Sequence, residues 1–175
     1  MICFGRRSRV VALAGLLLAA GAAMAPAFAG PAEIALLQSY IGEWRGRGVL
    51  IGADKQTVMC RLSVTQGNVD KVNYNGRCML AGTQLSVAGT MAYIAASRRY
   101  EAVMSSNANF TGIAVGQKRG GGLVFNLRER DQDDEGKDLN ITAQINLQRE
   151  AIDVVFEVMY VENGDYLRAE VPFSR

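Results

Sequence analysis

From Gly42 to its last residues the chain alternates apolar and polar side chains with a period of two, and turn-forming residues interrupt the alternation at even intervals. No other feature limits the fold as strongly. Successive side chains of a strand point to opposite faces, so this period describes a sheet with one buried face. The runs cover 43–52, 56–66, 71–80, 83–94, 98–106, 110–118, 122–130, 138–148, 151–161 and 165–174. Between them lie turn signals such as Gly52-Ala53-Asp54, Gly120-Gly121-Gly122 and Asn163-Gly164. No helical pattern separates the runs, which excludes a parallel sheet with crossover helices and leaves an antiparallel sandwich or barrel. Only the start departs from this. Ile34, Leu37, Ile41 and Trp44 form one stripe at helical spacing, with Pro31 suited to a first turn and Gly42 to a stop. They predict a short helix over 31–40.

Two hairpins can be tested by register. With a turn tip between Arg149 and Glu150, Leu147, Ile145, Ala143, Ile141 and Leu139 face Ile152, Val154, Phe156, Val158 and Tyr160. A slip of one residue would destroy that match. A hairpin centred on Val69 sets Val64 opposite Tyr74 and Cys60 opposite Cys78, close enough for a disulfide. A two-residue turn at Asn163-Gly164 would set Glu157 opposite Glu170.

The first residues speak to compartment. Arg6, Arg7 and Arg9 precede an apolar run that ends in Ala27-Phe28-Ala29, the pattern of a cleaved secretory signal over residues 1–29. Residues 30–175 then form a single domain, and two cysteines in an oxidising periplasmic or secreted setting are expected to pair. Three of the 19 basic residues leave with the signal, so 16 remain against 17 acids. That balance gives no ground for a nucleic-acid partner or an anionic membrane surface.

Histidine is absent, which removes Ser-His-Asp and Cys-His catalysis and His-held zinc or haem. Asp131, Asp133, Glu135 and Gly136 match the opening of a calcium loop, yet its closing carboxylate position is Thr142. A solvated hairpin tip is the simpler reading. The run Gly116-Gln117-Lys118-Arg119-Gly120-Gly121-Gly122 leads into a strand, whereas a phosphate loop leads into a helix. No catalytic residue, cofactor or metal site is therefore expected.

The inward phase mixes bulky and small residues: Val87, Gly89, Met91 and Tyr93 on one strand, Phe110, Gly112, Ala114 and Gly116 on another. Small inward residues can leave room for a ligand or can bend strands. On the first reading Tyr74, Val87, Gly89, Met91, Tyr93, Phe110, Phe125 and Phe156 line a binding site.

The segment Leu36-Leu37-Gln38-Ser39-Tyr40-Ile41-Gly42-Glu43-Trp44-Arg45-Gly46-Arg47-Gly48 resembles the calycins, which include lipocalins, fatty-acid-binding proteins and nitrobindin-like barrels. Gly42 and Trp44 match their Gly-x-Trp motif at the start of the first strand. The resemblance implies an all-β, antiparallel up-and-down β-barrel of about 8–10 strands. It also implies a late arginine packed on the tryptophan, for which Arg168 is the counterpart in this reading. Haem chemistry of the nitrobindin kind does not carry over without a histidine. The calycin-like periplasmic protease inhibitors are similar too, but they work through an extended N-terminal arm where this chain reads as helix.

The expected function is non-enzymatic binding of a small apolar ligand, with a protein-binding role such as protease inhibition as the alternative. An outer-membrane barrel ranks third, for want of aromatic girdles and long loops on one side. No stable membrane insertion is expected after signal cleavage.

Overall fold

The computed structural model describes residues 30–80 and 82–175, so the expected signal segment lies outside the described residues. A helix α1 (Pro31–Gln38) leads into ten strands. They are β1 (Gly42–Ile51), β2 (Gln56–Gln66), β3 (Lys71–Leu80), β4 (Thr83–Ile94) and β5 (Arg99–Ser106). Then follow β6 (Thr111–Arg119), β7 (Gly122–Gln132), β8 (Asp138–Leu147), β9 (Ala151–Tyr160) and β10 (Tyr166–Ser174). Each strand pairs antiparallel with its sequence neighbours, and β10 returns to β1 to close the barrel. The expected all-β up-and-down barrel with an N-terminal helix is the observed fold.

Two predicted registers are met pair for pair. In β8–β9, Leu147 faces Ile152, Ala143 faces Phe156 and Leu139 faces Tyr160. In β2–β3, Val64 faces Tyr74 and Cys60 faces Cys78, and the two cysteines form a disulfide with their Cα atoms 4.1 Å apart.

The β9–β10 register differs. Four residues, Val161 to Gly164, span the turn, and the Tyr160 amide donates to the Asp165 carbonyl at 2.8 Å. Asn163 folds its side chain back to accept from the Asp165 amide at 3.0 Å, an Asx-type turn that competes with the two-residue hairpin. The strands therefore slide by two residues: Glu157 faces Arg168, and Glu170 faces Val155. Arg168 bonds both carboxylates, at 3.3 Å to Glu157 and 2.7 Å to Glu170. Two acids that would have met across the strands are instead bridged by one guanidinium.

That pairing also corrects the expected place of Arg168. It is the Arg175 guanidinium that lies over the Trp44 ring, 4.4 Å from its centroid, while donating to the Ser39 carbonyl at 2.6 Å. Antiparallel pairing of β10 with β1 brings the C-terminal end of β10 to Trp44, seven residues past Arg168.

The closing seam between β1 and β10 runs through glycines. A Cβ on Gly48 would lie 1.9 Å from the Glu170 carbonyl oxygen, and one on Gly46 would strike the Phe173 ring. Pro172 has no N–H to give, and the ladder is interrupted between Gly46↔Phe173 and Val49↔Glu170.

The two ends of the barrel are unequal. At the helix end, Leu37, Tyr40, Trp44, Val72 and Leu123 are fully buried, and Val64, Phe125, Leu147 and Ile152 nearly so. The Trp44 indole donates to the Tyr40 carbonyl at 3.0 Å, and the Tyr40 hydroxyl donates to the Leu147 carbonyl at 3.2 Å. Helix α1 is thereby fixed as a plug, with Leu37 in the core. Residues 31–38 form no extended arm.

Candidate functional site

The end opposite α1 has no such plug. Toward that end the inward residues Leu50 of β1, Leu80 of β3, Leu139 of β8 and Val158 of β9 are only half-buried, although they pack against the core, while Val58 of β2 is fully buried. Val87 and Phe156 share that state. Phe110, in the turn just before β6, and Phe156 of β9 meet edge-to-face across the lumen with centroids 6.5 Å apart. The result is an apolar mouth floored by an aromatic pair, a lining suited to an apolar guest.

The expected binding residues divide between the two ends. Val87, Phe110 and Phe156 come together at the mouth. Met91 and Phe125 lie in the sealed half, at 5% and 1% exposure. Tyr93 is there too, edge-on to Tyr100 with centroids 5.0 Å apart. Tyr74 and Gly89 face each other in mid-barrel, where the Tyr74 hydroxyl passes over Gly89 to donate to the Val103 carbonyl at 3.1 Å. A Cβ on Gly89 would lie 2.0 Å from that carbonyl oxygen and 2.4 Å from the Tyr74 hydroxyl. Gly116 is covered by the Phe125 ring and Gly112 by Leu127 and Phe110 in the same way. These glycines admit a neighbour's side chain, so the space their small size creates is already occupied. Sequence reasoning missed Leu50, Leu80, Leu139 and Val158. The signal that could have found them is position: Leu50, Leu80 and Leu139 are the last or first inward residues of their strands at the end away from the helix, and Val158 is one inward position short of it, before Tyr160.

The wall also has a gap. The β6–β7 ladder runs from Arg119↔Gly122 to Val115↔Asn126 and stops, so Thr111–Ala114 are not paired to β7. A groove of about 420 Å³ lies there, lined by Met104, Thr111, Gly112, Ile113 and Glu129 among others. A second, of about 440 Å³ and more polar in residue type, lies beside it against Tyr74, Asn73, Asn75 and Thr90. Both open on the outer wall around Gly89.

The acidic loop between β7 and β8 is a self-contained turn. The Asp133 carboxylate accepts from the amides of Glu135 and Lys137, each at 2.9 Å, and Lys137 pairs with Glu135. Among the described residues no group of three or more potential metal ligands converges.

Burial raises the hydroxyl pKa of Tyr40, Tyr74 and Tyr100 above the ordinary tyrosine value. Tyr100 is pushed up to about 12, with the Glu33 charge adding to the effect. A group whose pKa is raised by folding contributes stability that is whole below its unfolded pKa, about 10 for tyrosine, and is lost as pH climbs through the folded value. The urea midpoint should thus be level at neutral pH and fall between about pH 10 and 12. Tyr74→Phe, which keeps the ring but cannot ionise, should make the fall shallower. A midpoint that stays level up to pH 12 would refute this account.

No known family profile matches the chain, and no curated protein sequence does. Solved structures do match. Rv2717c from M. tuberculosis superimposes with a TM-score of 0.63 at 15% identity, over 83% of this chain and 99% of its own. The S-type phycobiliprotein lyase CPES from Guillardia theta does so with a TM-score of 0.52 at 8% identity, over 78% and 88%. At such identities the likeness concerns the fold alone, and that fold is the closed calycin-like barrel.

Proposed function

We propose that this is an exported, non-enzymatic binding protein that takes a small apolar ligand through the mouth opposite α1. The observation that carries this reading is the asymmetry of the barrel. One end is sealed by Trp44, Tyr40 and Leu37 at zero exposure, while the other leaves Leu50, Leu80, Leu139, Phe156 and Val158 half-buried. Half-exposed apolar groups gain about 25 cal/mol for each Å² that a guest removes from water. The disulfide and the leader pattern support export. The likeness to the phycobiliprotein lyase carries the fold and leaves the guest to be inferred from the lining of this lumen.

The test uses a neutral apolar fluorophore, N-phenyl-1-naphthylamine. Saturable binding is expected, and Val158→Asn should weaken it by about tenfold, since a mouth amide must lose water on binding. Ile113→Asn, at 49% exposure on the outer wall, should leave it unchanged. No saturable binding, or equal loss in both variants, would overturn the reading. Native mass spectrometry of protein recovered from cells would then identify a carried ligand by mass.

A further inference from the structure

The register that unites the cysteines also sets arginine against arginine. Arg45 of β1 faces Arg61 of β2, and Arg61 faces Arg77 of β3. All three are exposed on the outer wall. Arg47 lies two residues along β1, and its row continues through Met59 and Met79, at 59% and 43% exposure. The rows end in Ser174, Ser86 and Gln84, so neither holds an acid. None of the four arginines takes part in a salt bridge or side-chain hydrogen bond among the described residues. Like charges directly opposite each other destabilise a sheet. With residues 30–175 carrying 16 basic groups against 17 acids, there were carboxylates enough to separate them.

We infer that the β1–β3 wall docks on an anionic phospholipid surface, with Arg45, Arg47, Arg61 and Arg77 on the headgroup phosphates and Met59 and Met79 against the acyl boundary. Neighbouring strands lie about 4.8 Å apart, so the three-arginine row spans about 10 Å. A dense sheet of anions matches such a row, and each guanidinium can bond a phosphate in bidentate fashion. Flexible exposed methionines beside the cations give the patch the mixed character of a membrane-interface face. An acidic partner chain fits less well. The acidic tip at Asp133 and Glu135, which a second copy could offer, spends both carboxylates on its own turn and on Lys137.

The experiment is co-sedimentation of the protein expressed from the full chain with phosphatidylglycerol vesicles and, separately, phosphatidylcholine vesicles. Each arginine at an anionic surface is worth about fivefold in partitioning, so Arg61→Gln/Arg77→Gln should reduce binding by about 25-fold. Arg128→Gln/Arg130→Gln, exposed on β7, removes the same charge elsewhere and should change it little. Variant and parent carry the same N-terminal segment, whose contribution cancels. Raising salt from about 0.1 to about 1 M, which shortens the screening length from about 10 to about 3 Å, should abolish the difference. The ladder variant should melt no lower than the parent, since it loses a like-charge row. Equal binding to both lipids, equal loss in both variants, or self-association lost in the ladder variant without vesicle binding would each overturn the proposal.

Discussion

Replacing Trp44 with alanine is expected to lower the unfolding free energy by about 3–5 kcal/mol, the largest effect of any single side chain considered for this barrel. The indole is wholly buried and fixes three elements at once. Its N–H holds the Tyr40 carbonyl at the exit of α1, its ring lies under Arg175 at the end of β10, and it opens β1. Tyr40 then reaches the Leu147 carbonyl on β8. Removing the ring leaves a cavity at the sealed end and an unsatisfied carbonyl beside it. Against a total stability of about 5–15 kcal/mol, such a loss is visible in any denaturant titration. Arg175→Gln separates the two contributions. It keeps the core and loses the cation over the ring, at a cost of about 0.5–1 kcal/mol, together with the exposed hydrogen bond to the Ser39 carbonyl. An alanine variant that melts like the parent would refute the plug.

Reducing the Cys60–Cys78 bond, or replacing both cysteines with alanine, should cost about 3 kcal/mol in the chain-entropy view. The cross-link spans 18 residues of sequence and joins two strands directly opposite each other. It lies on the inner side of the wall, with Cys60 at 5% exposure, so loss of the bond should leave fluorophore binding at the mouth qualitatively intact. Non-reducing digestion should recover the peptide pair containing both residues. Full alkylation of both thiols without reductant, on protein taken from the cell envelope, would show that the bond does not form there.

The strand boundaries were legible because one face of every strand is buried, and burial writes a period of two into the sequence. The β8–β9 and β2–β3 registers were legible for the same reason: a one-residue slip would put Ile141, Ile145 or Cys60 on the wet face. The β9–β10 register was not. A slide of two residues leaves every side chain on its own face, so hydrophobicity cannot detect it. Charge can: Glu157 opposite Arg168 is favoured over Glu157 opposite Glu170. The partner of Trp44 was within reach as well, since antiparallel closure must place the C-terminal end of β10, and hence Arg175, beside the start of β1. The mouth was harder. Bulky–small alternation drew the reading to Gly89, Gly112 and Gly116, where Tyr74, Leu127 and Phe125 already fill the space. Net charge was the least informative quantity, because 16 cations against 17 acids conceals a row of three adjacent arginines.

The seam between β1 and β10 has a consequence for how the chain comes to be closed. Nine of the ten strand pairings join sequence neighbours through short connections, and hairpins of that kind form in about 1–10 μs. The β1–β10 pairing must bring together residues as far apart as Arg45 and Ser174. It carries the full loop-closure entropy of the intervening chain. It is also the ladder broken at Pro172 and dependent on Gly46 and Gly48 for close approach. Closure should therefore be the last event in folding and the first reversed in unfolding. Until it happens, the growing sheet presents two bare strand edges, where another molecule's β1 or β10 could pair in place of its own. In native-state hydrogen exchange, the amides of Val49 to Ile51 should exchange well before those of β8.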